Sequence, residues 1–415
     1  MKRYSEYKDS GVKWIGEIPG HWKICRTRYL CNINTGDKDT VMKEDNGKYP
    51  FYVRSPKIER INTFSYDGEA ILMAGDGVGA GKVFHYANGK FDYHQRVYNM
   101  HNICGVSGKF MFYFIRDQFH YAMEEKNAKS TVDSVRLPWL KAFPIAIPAQ
   151  EEQEAIVTYL DSKVAKIDEY ISIAEKKIAA LEELKQTIIT EAVTRGIHKD
   201  VPMKDSGVKW IGMIPEHWKI VAIKRFSEII LGKMLDKTNG NEQQYLCAKD
   251  VHFDEINLTD LKKMYFSPEE QSKYRVRKGD LLVVEGGACG TCAILRTDVN
   301  DIFIQNSIMI VRGDKTKCVN DFIAYSIQAL VQKGYTESVC NKATIMHFTK
   351  EKLGNTLISL PPLPEQQEIV TYLDSKVANI NQLCQAERSQ IEKLKEYKQR
   401  LISDVVTGKV KVTND

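Results

Sequence analysis

The sequence predicts an α+β protein built as a tandem duplication. A mixed, β-rich globular domain is followed by a long helix, twice, with the two long helices packed as an antiparallel coiled coil of pseudo-two-fold symmetry. Three observations predict this. "SGVKWIGEIPGHWKI" at 10–24 returns as "SGVKWIGMIPEHWKI" at 206–220, 196 positions later. "IVTYLDSKVA" at 156–165 returns at 369–378, at an offset of 213. After each copy of the second stretch, apolar residues step by four and three, as a coiled-coil seam does.

A repeat near 200 residues is too long for a solenoid and implies two similar domains. Between the anchors the copies drift. "GEAILMAGDGVGAGK" (68–82) aligns with "GDLLVVEGGACGTCA" (279–293) at offset 211, and "KSTV" (129–132) with "KATI" (342–345) at 213. About 15 extra residues therefore entered the second copy between its Trp motif and its Gly-rich stretch. The framework is kept while the interiors, roughly 30–140 and 230–350, diverge. One scaffold presenting two different binding surfaces accounts for that; the rival is drift in tolerant loops, which should also have reached the anchors.

The helices are the firmest elements. Leu160, Val164, Ile167, Ile171, Ala174, Ile178, Leu181, Lys185, Ile188 and Ala192 form the first seam. Leu373, Val377, Ile380, Cys384, Glu387, Ile391, Leu394, Lys398, Leu401 and Val405 form the second. Both helices follow prolines, carry Glu151, Glu152, Glu365 and Glu368 at the positive end of the helix dipole, and stop at Gly196 and Gly408. About 40 residues at about 1.5 Å each span about 60 Å. A seam that long needs a partner: the other copy, or a second chain. The expected division is 1–149 and 197–362 for the globular domains, 150–196 and 363–408 for the helices, and 409–415 for a tail. Short strands around the Gly-rich stretches suggest hairpins, and 110–126 and 322–334 read as amphipathic helices. Trp14, Trp22, Trp210 and Trp218 flank Ile-Pro turns, where a tryptophan caps a core or docks another subunit.

Composition narrows the class. The 415 residues are 27% charged and 43% hydrophobic, which is ordinary globular material. No apolar run approaches the roughly 20 residues of a membrane span, the first residues carry no secretory h-region, and nine scattered cysteines suggest no disulfide framework. These features point to the cytoplasm. Residues 1–149 hold 22 Lys/Arg against 16 Asp/Glu, and residues 150–196 hold 6 against 10. Basic blocks alternating with acidic ones suit polyanions or merely a soluble surface.

Several motifs fail on inspection. "GDGVGAGK" (75–82) puts Asp76 where a phosphate loop needs its first Gly, and a strand is expected after it. "CGTC" (289–292) lacks a second pair at metal spacing, so structural thiols are expected and no metal site. There is no Asn/Asp-Pro-Pro-aromatic element for adenine methylation, no helicase phosphate loop and no compact acid-acid-Lys cluster for a nuclease. His21, His85, His94, His217 and His347 have no recurring Ser, Cys or Asp partner pattern. The chain reads as non-catalytic.

The duplicated "SGVKWIGEIPGHWK" opening and the exits "IPAQEEQEAIVTYLD" and "LPPLPEQQEIVTYLD" resemble the specificity subunit of type I restriction-modification systems, over essentially the whole chain. The resemblance implies that each globular block is a target recognition domain reading one half of a bipartite DNA site. The helices would set the spacing and dock two modification (methyltransferase) subunits. A restriction (translocase-nuclease) subunit could join them. S-adenosylmethionine would sit in the modification subunit, leaving no cofactor here. Half-sites on one side of the duplex lie about 34 Å apart, a distance such a helical pair can bridge obliquely. Because the interiors differ, the expected target is asymmetric. The alternatives are a coiled-coil adaptor that does not bind DNA and an enzyme with an unrecognised site. Salt-sensitive DNA binding tests the first, and turnover by the chain alone tests the second.

Base readout needs Arg, Lys, Asn or Gln at base edges, with other basic groups on phosphates. Candidates at loop positions that align between copies are Lys38, Arg54, Lys57, Lys82, His85, Gln95, Arg96, Lys129, Ser130 and Thr131 in the first copy. In the second they are Lys233, Lys249, Arg296, Asn306, Lys342 and Thr344.

Overall fold

The computed structural model describes residues 2–127, 134–198, 200–235, 240–253, 255–340 and 347–413. The chain divides into two compact units. Unit one holds residues 1–175 and 388–415, and unit two holds 176–387. Each globular block is thus grouped with part of both long helices, and the tail belongs to unit one, where the Lys411 amide donates to the Lys2 carbonyl at 3.0 Å.

In unit one a six-stranded sheet runs in the order Asn32–Thr35, Val97–His101, Tyr66–Ala74, Phe84–Tyr93, Tyr49–Tyr52, Glu59–Ile61. It is antiparallel except where Tyr49–Tyr52 pairs with Phe84–Tyr93. The helix Gly108–Asn127 covers one face, burying Phe110, Phe114 and Phe119 against Ile71, Met73 and Met100. Ala70 and Leu72 face the other way, into a second cluster with Tyr52, Phe91 and Val97. Burial on both faces explains the unbroken apolar run "AILMA".

Unit two repeats the order with one interruption. Its strands Ser227–Leu231, Ile308–Gly313, Leu281–Val284 and Cys292–Ile294 form one sheet, and Lys262–Tyr265, Glu242–Leu246 and Ile302–Ile304 form another. The strand that is continuous as Phe84–Tyr93 is here broken into Cys292–Ile294 and Ile302–Ile304. The parallel pair survives as Glu242–Leu246 with Ile302–Ile304. The helix Asn320–Gln332 takes the covering role. Extra residues include the helix Pro268–Tyr274, held by a Ser267–Glu270 capping box.

Facing corrects the sequence alignment by one residue. Ile71 and Met73 point to the covering helix in unit one, as Leu281 and Val283 do in unit two. Met73 lies opposite Tyr98 and Val283 opposite Met309. The offset is therefore 210, not 211; a slip of one turns every side chain to the wrong face. Strand pairing likewise makes Cys292 the counterpart of the core residue Phe84, not of Gly81.

The long helices span Gln150–Arg195 and Leu363–Val406, and every residue of both expected seams is buried or half-buried. Within unit two, Lys177 pairs with Glu387 at 2.6 Å and Lys185 with Asn381 at 3.1 Å, so the two helices run antiparallel there. Within unit one, Lys398 meets Asp168 at 2.5 Å. Gly196 and Gly408 end the helices at φ of 78° and 73°, the left-handed conformation that favours glycine. Among the described residues no helix is long and apolar enough to cross a membrane.

Candidate nucleic-acid interface

The repeated stretches are joints. In unit one the Glu152 carboxylate, on the first turn of the helix, accepts from Trp22 Nε1 at 3.0 Å and meets His21 Nε2 at 2.9 Å. In unit two Glu365 does the same with Trp218 (3.0 Å) and His217 (2.8 Å). The neighbouring glutamine completes the joint. Gln153 Oε1 accepts from the Ser107 amide at 2.7 Å and its Nε2 donates to the Pro148 carbonyl at 3.0 Å. Gln366 does so with the Val319 amide (3.0 Å) and the Pro361 carbonyl (2.8 Å). About two turns further along the long helix, Tyr113 donates to Asp161 at 2.8 Å and Tyr325 to Asp374 at 2.7 Å. Trp22 and Trp218 are fully buried, so they cap cores and offer no docking face. The joints need Trp, His, Glu-Gln and Asp at fixed places, which accounts for their repetition.

Each joint holds the N-terminal end of the covering helix. Further along, that helix meets the Gly-rich turn: Gly81 sits against Phe119, and Gly290 against Val331. At about 1.5 Å per residue, the turn lies about 18 Å from the joint in each unit.

Beside that turn is a corner built identically in both units. The His94 amide donates to Tyr52 O at 3.0 Å, Gln95 N to Lys38 O at 2.8 Å, Gly75 N to Arg96 O at 2.8 Å and Val135 N to Gly75 O at 2.8 Å. The matching bonds in unit two are Gln305 N to Leu246 O (3.0 Å), Asn306 N to Lys233 O (2.8 Å), Glu285 N to Ser307 O (2.8 Å) and Phe348 N to Glu285 O (2.7 Å). Gly36 and Gly232 allow the close approach, since a Cβ at either would lie within 2.4 Å of the Tyr93 or Gln305 carbonyl oxygen.

The side chains on this frame differ. In unit one Asp76 joins two guanidiniums, Arg54 Nη1 at 3.0 Å and Arg96 Nη1 at 3.1 Å. Gln95 Nε2 donates to Asp39 at 3.2 Å, and Lys38 lies beside Asp37 at 3.4 Å. His94, 2% exposed, accepts the Arg96 amide on Nδ1 at 2.9 Å. Burial, reinforced by the Arg54 charge, lowers its pKa. His85 contacts the Ser55 carbonyl at 3.1 Å, and burial lowers its pKa too. In unit two Gln305, Asn306 and Ser307 form a neutral chain, and Ser307 Oγ accepts from the Ala248 amide at 2.9 Å. Glu285 is half-buried, which raises its carboxyl pKa against the opposing influence of His347.

The sequence candidates fall into groups. Lys38, Arg54, His85, Gln95 and Arg96 converge at the corner of unit one, and Asn306 at that of unit two. Lys57 is exposed beside Glu59 at 3.3 Å, and Lys82 is exposed on the Gly-rich turn. Lys249 is exposed, 3.6 Å from Asp250, and stands where unit one has Ser55. Two placements correct the sequence reading. Lys233 is 8% exposed: its ammonium is turned inward to Glu270 (2.7 Å) and the Tyr265 carbonyl (2.9 Å), over the Tyr265 and Phe266 rings. Arg296 pairs with Asp321, at the joint end of the covering helix and away from the corner. Lys129, Ser130, Thr131, Lys342 and Thr344 lie outside the described residues. The sequence reading missed Asp39, Asp76, His94, Gln305 and Ser307, because a search for cations passes over the carboxylates and hydroxyls that orient them. The thiols of the "CGTC" stretch, Cys289 and Cys292, are buried and directed at the Glu285 and Ala324 carbonyls.

Comparison with known proteins yields a consistent set of likenesses. The family model "Type I restriction modification DNA specificity domain" matches residues 19–183 and 215–393. The chain is 24% identical to the Type I restriction enzyme MjaVIII specificity subunit of Methanocaldococcus jannaschii, over 98% of both chains. It is 26% identical to the EcoDI specificity subunit of Escherichia coli over 45% of this chain and 40% of that relative's length. The fold is shared with a chain from a solved structure on assembly and conformational transition of the type I R-M system. The TM-score is 0.70 at 17% identity, covering 94% of this chain and 98% of the other.

Proposed function

The chain belongs to the family of type I restriction modification DNA specificity domains, and from that premise we propose that it is the DNA-reading subunit of a type I restriction-modification complex. Each globular block reads one half of an asymmetric, bipartite duplex site. The long helices set the separation of the halves and dock two modification subunits, with which a restriction subunit can associate. The chemistry lies in the modification subunit, where S-adenosylmethionine binds, and this chain works in the cytoplasm without a cofactor of its own. A base methylated inside a duplex must be flipped out, so the chain's part is to hold the DNA against the enzyme.

The single observation that carries this reading is the pairing of identical joints with unlike corners. Two units share the Trp, His, Glu-Gln and Tyr-Asp bonds that fix the domain to its helix. They differ in the groups offered about 18 Å away, where one has guanidiniums and the other neutral amides and hydroxyls. Divergence confined to the exposed end of a fixed frame is what two readers of different sequences require. Lys38, Arg54, Lys57, Lys82, His85, Gln95 and Arg96 serve the first half-site, and Lys249 and Asn306 the second.

The test is to purify the chain with its modification subunits and map methylated positions on genomic DNA. The expected result is one asymmetric site of two parts around an unspecified spacer, bound with an affinity that falls steeply with salt. A continuous palindrome, or methylation by this chain alone, overturns the reading.

A further inference from the structure

We infer that Asp76, Arg54 and Arg96 form a guanine reader: a carboxylate-held pair of guanidiniums that gives the first half-site at least one required G·C pair. The inference deepens the proposed function and rests on it. Asp76 is the positioning residue, and the two arginines make the base contacts.

The geometry is specific. Asp76 Oδ1 accepts from Arg54 and Oδ2 lies against Arg96, so the two oxygens of one carboxylate each fix one guanidinium. The carboxylate is sheltered at 22% side-chain exposure, while Arg54 and Arg96 reach out at 46% and 62%. The backbone under Asp76 and Arg96 is pinned, by Gly75 N to Arg96 O at 2.8 Å and by the bridge between Asp76 and Ser134. Each arginine spends one terminal nitrogen on Asp76. Among the described residues the other N–H groups of both guanidiniums have no partner. A guanidinium offers five donors in a planar fork, and guanine offers N7 and O6 as adjacent acceptors in the major groove. An arginine oriented beforehand by a carboxylate keeps a fork to present and loses less side-chain freedom on binding.

A purely stabilising role accounts for the cluster less well. Ion pairs this exposed contribute little, and the equivalent site in unit two does without one. There Arg96 is replaced by Ser307 and Arg54 by Ala248, and the Ser307 hydroxyl bonds directly to the Ala248 amide at 2.9 Å. The frame is closed either way, so the charged cluster is surplus to folding. The fork should also be absent from the second half-site's recognition.

The experiment uses the intact complex with its modification subunits and compares selected DNA sequences for the wild type, Asp76→Asn, Arg96→Lys and Arg54→Gln. The wild type is expected to require a guanine in one half-site. Arg96→Lys keeps the charge but not the fork. It should relax one G·C position by roughly 5- to 150-fold, leave the other half-site unchanged, and leave the salt dependence of binding as it was. Arg54→Gln should relax the same position or a second one in that half. Asp76→Asn should relax the same positions more weakly, because the arginines remain but are no longer held. Retained selection of the second half-site shows that each variant has folded. Uniform loss for all sequences, with the salt slope falling by about one for Arg54→Gln, would make these phosphate contacts and overturn the inference. A first half-site with no G·C requirement overturns it as well. Failure of the wild type to select any bipartite site defeats the proposed function instead.

Discussion

Lys38 and Lys233 occupy the same place on the two frames: each accepts a 2.8 Å bond on its carbonyl from the turn opposite, from Gln95 in one unit and Asn306 in the other. Lys38 stays near the surface beside Asp37. Lys233 is drawn under two aromatic rings to Glu270, a residue of the helix Pro268–Tyr274 that entered with the extra segment. The same contrast holds across the corner, with Arg96 against Ser307 and Arg54 against Ala248. By comparison the joints repeat the same Trp, His, Glu-Gln and Tyr-Asp bonds. Divergence has been allowed at one end of the domain and refused at the other. The end that tolerates change is the one whose side chains do not close a buried polar network.

The largest expected effect tests whether the joints are equivalent. Trp22 and Trp218 are fully buried and each donates to a helix-first-turn glutamate. Trp22→Ala and Trp218→Ala should each cost about 3–5 kcal/mol. Hydrogen exchange should show the loss in the strands of the substituted unit, Tyr66–Ala74 or Leu281–Val284. Costs that differ by several kcal/mol between the two variants would mean that the symmetry of the bonds is not a symmetry of energies.

Next comes the lysine pair, where the units should diverge. Lys233→Met takes the ammonium from between the Glu270 carboxylate, the Tyr265 carbonyl and the two aromatic rings. About 2–3 kcal/mol of destabilisation is expected, below the roughly 3–5 of a fully buried pair because Glu270 is partly exposed. Lys38→Met removes a solvent-screened pair and should cost about 0–1 kcal/mol. Chemical denaturation of the two variants gives the comparison. Equal costs would place Lys233 at the surface after all.

The glutamines should restore equivalence at smaller scale. Gln153→Ala orphans the Ser107 amide and Gln366→Ala the Val319 amide, each at the start of a covering helix. About 1–3 kcal/mol each is expected for an unsatisfied buried donor, read as a lower melting temperature of the unit concerned. A neutral outcome in either would mean that water replaces the side chain there.

Much of this was legible in the sequence, for identifiable reasons. The seams follow from spacing alone, and all twenty of their positions are sheltered. The joints appear as exact repeats because Trp, His, Glu and Gln must each meet a fixed partner. The corners were legible only in part. Which face "EAILMA" turns to the helix is set by packing against Phe110 and Phe114, so a one-residue slip could not be seen from "GEAILMAGDG". Lys233 reads as a surface lysine until the inserted Tyr265, Phe266 and Glu270 fold over it. Arg296 follows a strand end, but the break between Cys292–Ile294 and Ile302–Ile304 carries it to Asp321. Asp76 was read only as a failed phosphate-loop position, since its role depends on two arginines 22 and 20 residues away on either side.

The smallest effect concerns pH and separates the corners by sign. His94 is buried and neutral, with Nδ1 accepting from Arg96 N and Nε2 turned toward Asp39 at 3.9 Å; Arg54, Arg96, Asp39 and Asp76 all surround it. Burial and the arginine charges outweigh the two carboxylates and lower its pKa. The unfolded chain therefore binds the proton first. His94's contribution to stability is complete above the ordinary histidine value near 6.5 and is lost as pH falls below it. Unit two has Gln305 at this position and cannot titrate there. Its Glu285 has a raised pKa, so its contribution runs the other way: present at low pH and lost as pH rises past the ordinary carboxylate range. The wild type and His94→Gln should differ in melting temperature by an amount that changes between pH 7.5 and pH 5. Glu285→Gln should show no change across the neutral end of that range. If the wild type and His94→Gln differ by a constant amount from pH 7.5 to 5, the imidazole takes up its proton as readily in the folded corner as in water. The corner would then be open to solvent and not closed around His94.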